Sequence, residues 1–251
     1  MPAMTTAPPN VTFVGAGPGA AEHLTLGALR VLQTADVVIH DRLVGPEVLD
    51  LIPRHVMRVD VGTAGFGPST SQATINATLV AHALTGARVV RLKGGDCGIF
   101  GRLDEEIAAL EAAGLPFRIL PGLTTAAAAA AAIGQSLTGR GRNVALRIVT
   151  GHDMQGYAEQ DWRGLARKQE VAAIYMGKKS ARFLQGRLIM HGADPATPVS
   201  IVENASRADQ RIIGTTLSHL PAAIAPCDGP AIILFGLAPR QAAVSLQRVQ
   251  A

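Results

Sequence analysis

Apolar residues over the first 120 positions fall into short runs of four or five. Each run ends in glycine or a polar residue, and helical spacing follows. VTFVG (Val11–Gly15) leads to a helix over Leu24–Thr34, and VVIH (Val37–His40) to a helix near Pro46–Ile52. Met57–Val61 precedes a Gly-rich loop and a helix over Gln72–Leu84. VVRLKGGD (Val89–Asp96) leads to a helix over Leu103–Ala113, and FRIL (Phe117–Leu120) closes the half. Strands that alternate with helices in this way predict a parallel sheet covered on both faces.

Pro121-Gly122 punctuates the chain, and the pattern then changes. The alanine run Ala126–Ala132 predicts a helix whose small side chains allow close packing. Strands are expected at Leu146–Asp153, Val171–Gly177, Pro198–Asn204, Arg211–Leu217 and Ala231–Gly236. Pro198–Asn204 and Arg211–Leu217 are joined by a short polar connection, so they should pair antiparallel. The fold class is therefore α/β. A flexible tail over 1–10 precedes an N-terminal α/β domain over 11–121 with a mainly parallel sheet. A C-terminal α/β domain over 122–251 has a mixed sheet.

Composition narrows the function. With 48% hydrophobic and 17% charged residues the chain is globular, and at 4% aromatic it offers little for stacking nucleic-acid bases. The net charge of +4 is scattered, with no Lys/Arg run, and suits an anionic small molecule at least as well as nucleic acid. Cys97 and Cys227 lie far apart with no zinc-like spacing, as expected of two buried or free thiols in a reducing cytoplasm. The opening MPAMTTAPP has no basic and apolar signal pattern, and no apolar stretch reaches the ~18 residues of a membrane span.

The candidate chemistry lies in the glycine loops. Gly15-Ala16-Gly17-Pro18-Gly19-Ala20 fits the dinucleotide fingerprint G-x-G-x-x-[G/A]. Pro18, however, removes a backbone donor that a pyrophosphate would need, and Glu22-His23-Leu24-Thr25 intervenes before the helix. A nucleotide without a pyrophosphate fits better, such as an adenosyl group with an amino-acid tail. The second glycine-ended strand, at Gly94-Gly95, suggests one ligand held between two loops.

GAGPG, DRLV (Asp41–Val44), Gln72-x-x-Ile75-Asn76, VVRLKGGD and FGR-x-x-EE follow one another in order. PGLTT, VTGHD, Asp161-Trp162, YMG, TPVSIVEN, QR and GTTL continue the series over about residues 11–240. This series resembles the tetrapyrrole methylases, and within them the S-adenosylmethionine-dependent uroporphyrinogen III C-methyltransferases. RLKGGD points to the uroporphyrinogen branch over the precorrin and diphthine branches.

The resemblance implies a cytoplasmic homodimer of two α/β domains with the ligand cleft between them. It implies S-adenosyl-L-methionine as methyl donor, S-adenosylhomocysteine as its product, and an anionic tetrapyrrole as acceptor. No metal, nucleic acid or membrane is implied. Two transfers would turn uroporphyrinogen III into precorrin-2, for sirohaem or cobalamin synthesis. Donor-binding positions carried over are Pro18, Gly94, Gly95, Asp96, Ile99, Thr124, Thr125, Met176, Ala205, Pro230 and Ala231.

The same resemblance places a catalytic carboxylate at Asp41, where a base would take the proton that leaves the tetrapyrrole. Arg102 offers a planar fork for a substrate carboxylate or for a carboxylate partner. Glu105 lies beside Asp104 and Glu106 in the first turn of a helix, where the helix dipole also favours acids. Four departures cluster on the acceptor side. A lysine expected after VG is Thr63, Pro-Phe after GGD is Cys97-Gly98, GRGGEE is GRLDEE with Leu103-Asp104, and LTHR is LTGR with Gly139. They leave open a divergent tetrapyrrole methylase acting on another corrinoid precursor, and a donor-binding protein with a decayed acceptor site. A nucleotide-dependent oxidoreductase using the first glycine loop is the rival from another enzyme class.

Overall fold

The computed structural model describes residues 10–62, 70–153 and 156–241. Most of the expected N-terminal tail and Thr63 lie outside the described residues. The chain divides into two compact units, Met1–Thr124 and Thr125–Ala251.

The first unit is built on strands β1 (Val11–Gly15), β2 (Val37–His40), β3 (Met57–Asp60), β4 (Val89–Lys93) and β5 (Phe117–Leu120). They lie in the order β3-β2-β4-β1-β5, and every pair is parallel. The helices are α1 (Leu26–Thr34), α2 (Pro46–Asp50), α3 (Gln72–Leu84) and α4 (Leu103–Ala112). Side chains alternate across a strand, so β1, β2 and β4 each supply two cores. Val14, Val38, Val90 and Leu92 pack with Ala28, Leu32 and Val48 from α1 and α2. Val11, Phe13, Ile39 and Val89 pack with Leu79, Ala83 and Leu110 from α3 and α4. Each fully buried large apolar side chain stabilises the unit by roughly 1.5–3 kcal/mol.

Helix starts follow from capping. Thr25 Oγ1 accepts from Ala28 N at 3.1 Å, so α1 opens at Leu26 and not at Leu24. Ser71 caps α3 in the same way through Thr74 N. At α4 the N-cap is Arg102, held at φ 53° with no side-chain cap bond. Asp104, Glu105 and Glu106 in its first turn supply the negative charge the helix dipole favours.

The second unit opens with α5 (Thr125–Ala132). Strands β6 (Arg147–Thr150), β7 (His152–Asp153) and β8 (Gly156–Tyr157) follow, then α6 (Trp162–Leu165), β9 (Ala172–Tyr175) and α7 (Ala181–Met190). It ends with β10 (Pro198–Glu203), β11 (Arg211–Thr216), α8 (Leu220–Ile224) and β12 (Ala231–Phe235). The main sheet runs β11-β10-β12-β9-β6. It is mixed, because β10 pairs antiparallel with β11 and β12, β12 antiparallel with β9, and β6 parallel with β9.

The strand expected over Leu146–Asp153 is two. Thr150 Oγ1 donates to His152 O at 2.7 Å and accepts from His152 N at 3.3 Å, which turns the chain. β7 then pairs antiparallel with β8 instead of extending β6. The alanine helix α5 buries Ala126, Ala128, Ala129 and Ala130, and its core includes Ala173 of β9, Val202 of β10 and Ile232 of β12. At its start Ala126 N donates to the Tyr175 hydroxyl at 3.0 Å, and just past its end Ile133 O accepts from Arg240 N at 3.0 Å.

Cys97 and Cys227 are both buried and form no disulfide. Among the described residues no helix is long and apolar enough to cross a membrane. Among the same residues no group of three or more His, Cys, Asp or Glu could hold a metal ion.

Candidate active site

Five parallel strands deliver their C-terminal ends to one edge of the first sheet, the edge where such sheets hold ligands. At three adjacent ends glycine is close by: β1 ends in Gly15, β4 passes into Gly94, and β5 reaches Gly122 through Pro121. A Cβ on Gly15 would stand 2.5 Å from Gly122 N and 2.8 Å from Gly95 O, and one on Gly94 would stand 2.7 Å from Leu43 Cβ. Gly17 and Gly95, at φ 72° and 71°, exchange two bonds: Gly17 N to Gly95 O at 3.1 Å and Gly95 N to Gly17 O at 2.7 Å. The loops therefore need these glycines for their approach to one another, and both peptide groups of Gly95 already have a partner in Gly17. Asp96 ties the same junction, its Oδ2 accepting from Gly122 N at 2.9 Å and its Oδ1 from Gly98 N at 2.8 Å. Pro18 is buried in this junction, and Ile99 and Thr124 are partly exposed beside it in the chain. No α-helix begins at Gly19. A 3-10 turn over Ala21–His23 intervenes, so the loop lacks the helix N-terminus on which a pyrophosphate would sit.

Asp41 stands just past β2 on this edge. Its Oδ1 accepts from Leu43 N at 3.0 Å, and Leu43 in turn packs on Gly94. The Asp41 turn thus touches the Gly94-Gly95 loop. Arg102 and Glu105 bound a surface pocket of about 360 Å³ that also includes Gly98, Phe100, Leu103 and Asp104. The fork of Arg102 is engaged by Glu105, so of the two partners left open by the sequence, a substrate carboxylate or a carboxylate of the protein, the structure shows the second. The guanidinium holds the Glu105 carboxyl below the usual range, and the carboxylate raises the guanidinium in return. Cys97, in place of the expected proline, donates its thiol to Leu120 O at 3.8 Å, and burial pushes its pKa up. Gly139 lies in a separate turn of the second unit, bridged to Asn143.

Sequence reasoning missed a buried ionic cluster beneath the edge. Arg91 and Lys93 project from β4 to the α3/α4 side and are 2% and 4% exposed, while Glu106 is 0% exposed. Glu106 accepts from Lys93 Nζ at 2.7 Å, from Arg91 Nη2 at 3.1 Å and from Arg91 Nε at 3.1 Å. Gln72 and Asn76 of α3, part of the Q-x-x-I-N pattern, complete it: Gln72 Nε2 donates to Asn76 Oδ1 at 2.8 Å and to Glu106 Oε1 at 3.4 Å. The signal was present in VVRLK, where two cations two residues apart interrupt an otherwise apolar face.

In the second unit the other carried-over positions also share an edge. Ile174 of β9 faces Ile233 of β12, and Glu203 of β10 faces Ala231. The end of β9, the start of β12 and the end of β10 therefore lie side by side, and they carry Met176, Pro230, Ala231 and Ala205. Asn204 N donates to Pro230 O at 2.9 Å and closes this edge. Thr125 joins it through the bond of its neighbour Ala126 to Tyr175, beside Met176. Ala205 is buried. Met176 is held at φ 51° with 50% of its surface exposed, an apolar side chain kept out of the core by a left-handed backbone.

The sequence model of the tetrapyrrole (corrin/porphyrin) methylases matches residues 10–221. The chain belongs to this family. Among curated relatives, siroheme synthase 1 of Yersinia pseudotuberculosis is 43% identical over 226 residues, which is 90% of this chain and 48% of that protein. The siroheme synthase of Edwardsiella ictaluri is 44% identical over the same length. The chain thus spans about half the length of the curated relatives it matches. Among solved structures, the uroporphyrin-III C-methyltransferase of Thermus thermophilus, complexed with S-adenosylhomocysteine, superposes with a TM-score of 0.79 at 35% identity. That likeness covers 94% of this chain and 99% of the Thermus chain. A cobalt precorrin-4 methyltransferase of cobalamin biosynthesis superposes at 0.80 with 26% identity, covering 92% of this chain and 97% of its own.

The methyl donor of the tetrapyrrole methylases is S-adenosylmethionine. Taken by itself, the edge of the first unit offers tight glycine loops, Thr124 and the partly exposed Ile99, and the edge of the second offers Thr125 and the exposed Met176.

Proposed function

We propose that this chain transfers methyl groups from S-adenosylmethionine to carbon atoms of uroporphyrinogen III, giving precorrin-2 by two transfers in sirohaem or cobalamin synthesis. The observation that carries this reading is the likeness to the Thermus enzyme over 99% of that enzyme's length. The ordered motifs support the uroporphyrinogen branch, RLKGGD above all. A cytoplasmic homodimer is part of the same reading.

Pro18, Gly94, Gly95, Asp96, Ile99 and Thr124 of the first unit hold the donor, with Thr125, Met176, Ala205, Pro230 and Ala231 of the second. When bound, the donor supplies a methyl carbon already activated on a sulfonium. What remains for the protein is alignment, exclusion of water and removal of one proton. Asp41 takes the proton that leaves the tetrapyrrole once its carbon, which carries no hydrogen of its own, has been methylated, at the carboxylate whose Oδ1 is oriented by Leu43 N. Arg102 binds a carboxylate of the acceptor, and Glu105 holds the guanidinium in place between substrates.

A methyl-transfer assay with purified chain, S-adenosylmethionine and uroporphyrinogen III tests the reading. The expected product is the dimethylated tetrapyrrole. Donor binding with no transfer to uroporphyrinogen III, but with transfer to a later corrinoid precursor, would move the chain to another branch. Donor binding with no transfer to any tetrapyrrole would make it a binding protein.

A further inference from the structure

The ionic cluster under the first sheet edge is unbalanced. Arg91 and Lys93 bring two positive charges, Glu106 brings one negative, and all three are 4% exposed or less. Taking ions out of water costs several kcal/mol each, and apolar residues of similar volume often pack as stably. Packing alone therefore does not explain the surplus cation. Its position does. Lys93 immediately precedes Gly94-Gly95-Asp96, and its Cε lies 3.1 Å from where a Cβ on Gly101 would stand. The lysine stem thus lies under the loop that ends in Arg102. Its ammonium acts electrostatically on both Asp41 and Glu105.

We propose that Lys93 is a positioning residue for the acceptor: a cation locked by Glu106 beneath the rim, whose charge offsets Asp41 and Glu105 so that a polycarboxylate can approach them. This rests on the reading that Asp41 and Arg102 face the acceptor. Without the lysine, the rim acids Asp41, Asp104 and Glu105 repel an anionic substrate, while the donor loops are untouched. The groups that act on Lys93 are Arg91 from its own strand, Glu106 from α4 and Asp41 after β2, and Lys93 in turn acts on Glu105 and the Cys97 thiol. Burial, and after it Arg91, pull the Lys93 pKa down, so its charge fades as the solution becomes alkaline.

The test is a fluorescence titration of uroporphyrin III, the coloured oxidised analogue, into the full chain saturated with S-adenosylhomocysteine. K93M leaves Arg91 and Glu106 as a balanced pair. It should keep or raise the melting temperature, leave S-adenosylhomocysteine affinity unchanged, and weaken uroporphyrin III binding roughly tenfold. K93R should retain most of the wild-type affinity. Wild-type affinity should fall as the solution becomes alkaline enough to take the proton from Lys93, and K93R should lessen that fall. Equal uroporphyrin III affinity in K93M and wild type would overturn the proposal. So would a joint loss of melting temperature and S-adenosylhomocysteine binding in K93M, which marks a purely structural lysine. Should K93M not fold, K93Q decides by the same titration: uroporphyrin III affinity equal to that of the wild type rejects the role. Wild type that methylates only another tetrapyrrole would instead refute the uroporphyrinogen reading, and the titration would still judge Lys93 with that compound.

Discussion

Arg102 and Glu105 meet at two points across one turn of α4, Nε to Oε1 at 2.7 Å and Nη2 to Oε2 at 2.7 Å. The pair is half exposed, with side-chain exposures of 50% and 45%, so it adds little to stability. Its consequence is orientation: the guanidinium is presented as a fixed planar fork at the pocket mouth.

R102K keeps the charge but not the fork. Turnover on uroporphyrinogen III should fall about ten- to a hundredfold, the equivalent of one charge-assisted contact of roughly 1.5–3 kcal/mol. S-adenosylhomocysteine affinity should stay at the wild-type value by calorimetry. Retained turnover, or equal loss of donor binding, would remove Arg102 from the acceptor side.

R102G tests the backbone beneath the same side chain. Arg102 sits at φ 53°, a conformation glycine adopts freely. The glycine should hold or raise the melting temperature while acceptor turnover drops as in R102K. A clear fall in melting temperature would show that the ion pair outweighs the strain.

The glycine junction makes a different kind of demand. A methyl group on Gly15 would stand 2.5 Å from Gly122 N, and its three nearest neighbours are all backbone atoms, of Gly122 and Gly95. G15A should destabilise the chain by about 1–3 kcal/mol, as overpacking does, and weaken S-adenosylhomocysteine binding in step. Chemical denaturation and calorimetry on the same sample would check both. G15A with full stability and full affinity would contradict the packing described for these loops.

A ligand test separates the nucleotide classes. S-adenosylhomocysteine at a hundred times its Kd should stabilise the chain by about 2.7 kcal/mol. NAD should leave the melting temperature unchanged, because α1 begins at Leu26, well past the first glycine loop. Stabilisation by NAD without any by the adenosyl compound would favour an oxidoreductase.

Asp36 sets an acid limit on stability. It accepts from Arg88 Nη2 at 2.6 Å, Arg88 Nε at 3.0 Å and Arg88 N at 2.8 Å, and the guanidinium lowers its pKa to about 2. An unfolded Asp titrates near ~3.9, so the folded value is depressed. The contribution is fully present above about pH 4 and is lost as pH falls through about 2. Both side chains are largely exposed, which keeps the effect under about 1 kcal/mol. Urea midpoints of wild type and D36N should differ at pH 6 and converge by pH 2 in low salt. A constant difference across that range would show that the pair does not titrate with folding.

Elements with complete local signals were legible in the sequence. Gln72–Leu84 and Phe117–Leu120 begin and end where the pattern put them, because a Ser cap and a Pro-Gly break punctuate them. The antiparallel pairing of Pro198–Glu203 with Arg211–Thr216 followed from their short connection. The break at Thr150 was not legible, since a single hydroxyl turning back on His152 leaves no mark in hydropathy. In the site, the glycine loops and the acids of α4 were visible as motifs. The partner of Arg102 was open between substrate and protein, because i,i+3 spacing permits a pair without requiring it. Arg91 and Lys93 were overlooked because β4 reads as buried, and burial of a charge becomes visible only when its counter-ion arrives from α4.

The alanine helix α5 has no large side chain to mark its register against β12 and its neighbours. Its register is marked instead by fully buried Ile133 just past its end and by two end bonds, from Ala126 N to the Tyr175 hydroxyl and from Arg240 N to Ile133 O. Tyr175 immediately precedes Met176, and Thr125 immediately precedes Ala126, so one phenol sets the spacing between Thr125 and Met176, two positions proposed to hold the donor. The oxygen removed in Y175F would leave the core volume intact and convert a fixed distance into a distribution of distances.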